Sequence, residues 1–223
     1  MAGPDAAPAS RLWDAPVRIF HWSLVVLVLV AWFSADRNMS LHLWSGYAVM
    51  GLLIFRIYWG VFGSQTARFA SFVKGPRATL AYARTLGSRQ SAATPGHNPV
   101  GALSVVAILL LLVAEVVFGL FAVDVDGMES GPLSRFVEFE TGRLMAEWHE
   151  LAFRGLQVLV VLHVAAVLFY LVYKRQNLIG PMISGRRRFA TNAGLVFAPA
   201  WKLIVGVVVA FALMWFISKG LRF

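Results

Sequence analysis

A chain of 223 residues that is 59% hydrophobic and 14% charged, with a mean hydropathy of +0.70, lies outside the soluble globular range and reads as an integral membrane protein. It has no cysteine, which excludes disulfides, thiolate-held iron–sulfur clusters, C-x-x-C zinc sites and covalent haem attachment through C-x-x-C-H. The formal charge of +9 sorts by loop, so it reports topology and gives no nucleic-acid footprint.

In chain order, Met1–Ser10 is an Ala/Pro-rich tail expected to be disordered. Arg11 and Arg18 followed by an apolar run imitate a signal peptide, but the run ends in Trp32-Phe33-Ser34-Ala35-Asp36, without a clean small-residue cleavage site. An uncleaved first span is therefore expected. Five stretches are long and apolar enough to span: Val17–Ser34, Leu43–Phe62, Val100–Val123, Trp148–Tyr173 and Trp201–Ser218. Each is expected to be helical, since a lone strand in lipid leaves its backbone groups unpaired. The tail (Arg11, Arg18), the second loop (Arg68, Lys74, Arg77, Arg84, Arg89) and the fourth loop (Lys174, Arg175, Arg186, Arg187, Arg188) hold most of the cations, which makes that side cytoplasmic. Trp13, Trp22, Trp44, Tyr58, Trp59, Trp148, Tyr173 and Trp201 cluster near span ends, as interfacial anchors do. The third loop is acidic, with Asp124, Asp126, Glu129, Glu138, Glu140, Glu147 and nearby Glu150. It reads either as a solvated loop or as a docking surface for a basic partner. Pro132 to Trp148 reads as a helix leading into the fourth span.

This topology sorts four histidines by depth. His21 lies near the inner end of the first span, His42 at the outer end of the second, and His149 and His163 along the fourth. The last two are separated by close to four whole turns, so they share a face and stand roughly 21 Å apart along the axis. The expected pairs are His42 with His149 outside and His21 with His163 inside. The inner depths match less well, because His163 lies eleven residues before Lys174 and His21 three after Arg18. Any one of these rings alone reads as an interfacial or core histidine. Four at paired depths need a reason, because ionisable groups within spans are costly. Neutral imidazole is a good axial ligand for haem iron, and two of them close both axial positions. Gly46, Gly51 and Gly155 either let a planar cofactor approach or serve ordinary helix packing. Arg18, Arg56 and Arg154 are candidates to pair with haem propionates, and Arg18 and Arg56 read equally well as inner-surface anchors.

Several stretches are similar to one family. Trp13-Asp14-Ala15-Pro16-Val17-Arg18-Ile19-Phe20-His21-Trp22 resembles the opening motif of the bacterial cytochrome b561 family, which includes the b-type cytochrome subunits of nickel–iron hydrogenases. Leu41-His42-Leu43-Trp44-Ser45-Gly46-Tyr47, Phe55-Arg56-Ile57-Tyr58-Trp59-Gly60, His97-Asn98-Pro99-Val100-Gly101-Ala102 and the run from His149 through His163 to Ser184-Gly185-Arg186 resemble it too. The likeness covers roughly Arg11 to Arg188 and implies a four-helix core that binds two b haems at His21, His42, His149 and His163.

The fold class expected is all-α integral membrane, a four-helix haem-binding bundle plus a fifth C-terminal span. Residues 1–10 form the tail, 11–188 the di-haem core, and 189–223 a linker with the additional helix, which lies outside the family pattern. The resemblance implies electron transfer across a bacterial inner membrane between a quinone pool and an outer redox partner, such as a c-type cytochrome or a dehydrogenase or hydrogenase subunit. The N-terminus is then cytoplasmic, the C-terminus periplasmic, and a homo- or hetero-oligomer is open. An electron-transfer subunit is expected over a complete enzyme. The alternatives are a free-standing superoxide- or small-reductant:quinone oxidoreductase, a non-redox proton or metal transporter, and a structural assembly subunit. His97, before Asn98-Pro99, is either a helix-start histidine or a quinone or proton-exchange group. Glu115, a carboxyl within an apolar run, either exchanges a proton with quinol or stays hydrogen-bonded and neutral.

Overall fold

The structure, a computed structural model, describes residues 9–89, 96–125, 129–188 and 194–222. Residues 1–8 of the expected tail, Asp126 of the acidic loop and residues 189–193 of the linker lie outside the described residues. The elements in order are β1 (Ala9–Arg11), α1 (Ala15–Ser34), α2 (Met39–Phe62), α3 (Phe69–Phe72), α4 (Pro76–Arg84), α5 (Pro99–Phe121), a 3-10 turn (Ser134–Phe136), α6 (Phe139–Val172), α7 (Ile179–Ser184), β2 (Arg186–Arg188) and α8 (Ala200–Ser218). Five of them, α1, α2, α5, α6 and α8, are long and apolar enough to cross a membrane, so the fold is all-α and multi-pass.

Three of these helices begin where a short polar side chain takes over an orphan amide. Asp14 accepts from the Val17 N–H at 3.0 Å to start α1, and Asn38 from the Leu41 N–H at 3.0 Å to start α2. Asn98 accepts from the Gly101 N–H at 2.8 Å to start α5, and Pro99 supplies a first-turn residue that needs no donor. The fourth spanning helix, α6, has 34 residues and is about 51 Å long, more than the hydrocarbon thickness. It starts at Phe139, not at Pro132. Before it the chain folds back on the end of α5, with the Gly131 N–H donating to the Ala122 carbonyl (2.8 Å) and the Leu133 N–H to that of Leu120 (2.9 Å). Gly131 allows this close approach, since a Cβ there would collide with the Gly119 and Leu120 carbonyls.

Two helix pairs, α1 with α2 and α5 with α6, are joined through contact of α2 with α5. The additional helix α8 does not stand apart: it runs antiparallel along α2. Gly206 packs against Tyr58 and Phe55, Gly51 meets Met214, and Arg135 donates to the Gly220 carbonyl beyond the end of α8. Apolar burial cannot drive such packing in lipid, so close backbone approach at small residues has to supply it. Gly51 and Gly155 take this role, the second against Leu111 of α5.

At the inner end the chain closes on itself. β1 and β2 pair antiparallel with Arg11 opposite Arg186, and the Leu12 and Trp13 amides donate to the Gly185 carbonyl. Ala9 and Ser10 are therefore strand residues, a correction to the disordered tail; their ladder partners come from a segment 176 or more residues away in the register Ala9↔Arg188. Lys174 is no surface anchor either. It is 5% exposed and donates to the Thr85 (3.3 Å) and Ser88 carbonyls. The second loop thus covers the end of α6, further fastened by Tyr82 to Tyr170 (2.8 Å) and by Tyr173 to the Gly87 carbonyl (2.7 Å).

Candidate functional site

The outer pair forms as the topology predicts. His42 in the first turn of α2 and His149 in α6 have ring centroids 6.0 Å apart and mutually perpendicular planes. Each ring is pinned through Nδ1 to a backbone carbonyl. His42 Nδ1 lies 2.9 Å from the Ala31 carbonyl, one of the last four of α1. The Ala35 amide turns to Trp32 instead, so the Ala31 carbonyl, which also accepts from Ser34 Oγ at 3.2 Å, is open to the ring. His149 Nδ1 lies 2.9 Å from the Glu115 carbonyl. That approach depends on Gly119, one turn further along α5, where a Cβ would sit 3.1 Å from His149 Cε1. Carbonyl acceptance makes Nδ1 the protonated nitrogen and leaves the Nε2 lone pair of both rings for a metal.

The Glu115 carboxyl also faces this site: Oε1 is 3.4 Å from His149 Nδ1, and Oε2 is buried without a hydrogen-bond partner among the described residues. Gly46, one turn on from His42, has open space beside it, since a Cβ there would meet no atom within 4 Å.

At the other end, His21 lies in α1 and His163 in α6, and among the described residues no ring contact joins them as one joins His42 and His149. The His97 ring packs between Trp13 (4.8 Å) and Phe72 (4.7 Å). Burial, with the charges of Arg56, His163 and His21, holds its imidazole far below the usual 6.5, at about 3, so it is neutral at physiological pH. Arg56 is 4% exposed, donates to the Ala67 carbonyl at 3.2 Å and lies over the Phe69 ring. Its charge is offset by Asp14, which caps α1 and accepts from the Trp59 indole N–H at 2.9 Å. Arg18 donates to the Ile183 carbonyl while its Nε stays buried and unpartnered.

Arg154 is the one sequence candidate that joins neither pair. It bonds Glu150 one turn back, and both side chains are exposed. Sequence reasoning missed the Ala31 carbonyl, Gly119 and Arg68. A detectable signal existed only for Gly119, which follows Glu115 by one helical turn. Among the described residues no cluster of three or more His, Cys, Asp or Glu side chains could hold a bare metal ion. A two-histidine site suits a metal whose other ligands come from a macrocycle.

Comparison with known proteins gives a family match and several similar proteins. The family model for prokaryotic cytochrome b561 matches residues 12–185. A probable Ni/Fe-hydrogenase B-type cytochrome subunit of Cupriavidus necator is 25% identical, over 85% of this chain and 91% of that protein. Proteins with the same description from Bradyrhizobium diazoefficiens (24% identical; 84% and 95% covered) and Rhizobium leguminosarum bv. viciae (27%; 80% and 88%) are similar to it as well. No solved structure matches the chain.

Proposed function

Because this chain belongs to the prokaryotic cytochrome b561 family, we propose that it holds two b haems and carries electrons between membrane quinone and a periplasmic redox partner. It is a multi-pass membrane electron-transfer protein of b type. His42 and His149 would hold the outer haem and His21 and His163 the inner one.

The outer geometry carries this reading. His42 and His149, pinned through Nδ1 with ring centroids 6.0 Å apart, would hold the outer group through the nitrogens left free. The open space at Gly46 suits a planar group beside His42. At the inner end, His21 Nδ1, Arg18 Nε and Arg68 Nε, buried and without a partner among the described residues, suit a resident group rich in acceptors. When bound, haem would supply a one-electron couple.

The chain's own part is to orient and insulate. Ala31 and Glu115 hold the outer imidazoles through backbone, and Trp13 and Phe72 keep water from His97. Similarity to hydrogenase cytochrome subunits favours a hydrogenase as the partner. Glu129, Glu138, Glu140 and Glu147 on the outer side suit a basic docking edge. The N-terminus is then cytoplasmic in the inner membrane.

The test is a pyridine haemochrome count with a reduced-minus-oxidised spectrum of the purified chain. Two low-spin b haems per polypeptide are expected. One would make a histidine pair structural, and none, in protein made with ample haem, would overturn the electron-transfer site.

A further inference from the structure

Five buried side-chain polar atoms have no hydrogen-bond partner among the described residues. One is the Glu115 oxygen at the outer end. The other four are nitrogens of the inner end: Arg18 Nε, His21 Nδ1, Arg68 Nε and His97 Nδ1. Folded proteins leave few buried donors unsatisfied, and four in one region call for a shared acceptor.

The surroundings narrow what that acceptor is. Asp14 is the only described carboxylate at this end, and its two oxygens already accept from the Val17 amide and the Trp59 indole. Arg56 is engaged with the Ala67 carbonyl and with Asp14. Among the described residues no carboxylate at this end is left to accept, which favours an acceptor from outside the chain. Two guanidinium nitrogens among the donors favour an anion with oxygen lone pairs. The His97 ring is half-buried between Trp13 and Phe72 with its Nδ1 buried, and a neutral imidazole still has one N–H to give. Such an enclosed nitrogen suits a resident group better than a quinone that must enter and leave. Trp13, which packs on His97, leads into α1, the helix that carries His21 of the pair assigned above to a haem.

We infer that His97 and Arg68, with Arg18, hold the propionate carboxylates of the inner haem. The inference rests on the two-haem reading. It gives His97 a role in anchoring the cofactor, and it moves the propionate contact from Arg56 to Arg68.

The experiment uses the full chain in detergent, loaded either with haem or with haem dimethyl ester, whose propionates cannot take an anion's partners. Loss of each haem to excess apomyoglobin is followed by absorbance. For free haem, His97→Phe, which keeps the ring stack, and Arg68→Leu should each speed loss of the inner haem at least tenfold and leave the outer haem at its wild-type rate. His97→Asn, with an amide donor near the Nδ1 position, and Arg68→Lys should restore most of the retention. For the dimethyl ester, wild type and loss variants should release the inner haem at one common fast rate. Unchanged retention of free haem in both loss variants would overturn the inference. So would equal acceleration for free haem and ester, which would mark a packing role, and so would intact retention with loss of haem reduction by quinol, which would give the donors to quinone. A wild-type chain that binds a single haem would strike the two-haem reading itself, and the haem count separates that failure from the others.

Discussion

At the outer end His42 and His149 are held by backbone carbonyls of α1 and α5, whereas at the inner end His21 and His163 sit among side chains delivered by loops. The outer site depends mainly on helix geometry: an end carbonyl of α1 that the ring shares with Ser34 Oγ, and a glycine that lets a ring reach the α5 backbone. The inner site depends on several separate segments, 12–14, 66–72, 96–98 and 183–185, arriving together. Damage to helix packing should therefore fall on the outer pair, and damage to loop docking on the inner pair.

The largest effects separate the two sites outright. His42→Ala should remove the outer haem and His163→Ala the inner one, each lowering the haemochrome count from two to one. Loss of both haems from either variant would break the independence of the sites. Next in size, Asp14→Ala removes the cap of α1, the acceptor for the Trp59 indole and the counter-charge of buried Arg56. It should cost about 3 kcal/mol in thermal unfolding and deplete the inner haem before the outer. Gly119→Ala is its mirror at the other end. A Cβ 3.1 Å from His149 Cε1 forces the ring to give, at a cost of about 1 kcal/mol, so outer-haem affinity should fall by roughly fivefold with the inner haem unaffected. Smallest, Arg154→Ala breaks an exposed pair and should change stability by about 0.5 kcal/mol or less, with both haem spectra unmoved.

The contrast also explains what was legible beforehand. The five spans follow from run length and from the lack of any backbone partner in lipid; the structure shifts most boundaries by four residues or fewer and starts α6 at Phe139, well before Trp148. Asp14 and Asn98 announce helix starts because each precedes a proline in an apolar run. The outer pairing was readable because both histidines sit on spanning helices whose direction the Lys/Arg asymmetry sets. His97 was visible only as a histidine before Asn98-Pro99. Its place between Trp13 and Phe72 joins residues from three distant segments, and no local pattern encodes that. Lys174 misled for the same reason: a lysine reads as surface until its ammonium is seen satisfied by the Thr85 and Ser88 carbonyls.

Membrane class and the number of spans come from properties that act along the chain, hydropathy and helical rise, and the expected direction and histidine depths rest on charge bias in the same way. Which carbonyl pins each imidazole of His42 and His149, which glycine clears the path, where α8 packs and which unpaired nitrogens gather with His97 depend on groups far apart in sequence. Those are settled by packing, since a carbonyl, a ring stack or a buried guanidinium takes its role only from the neighbours that the fold brings to it.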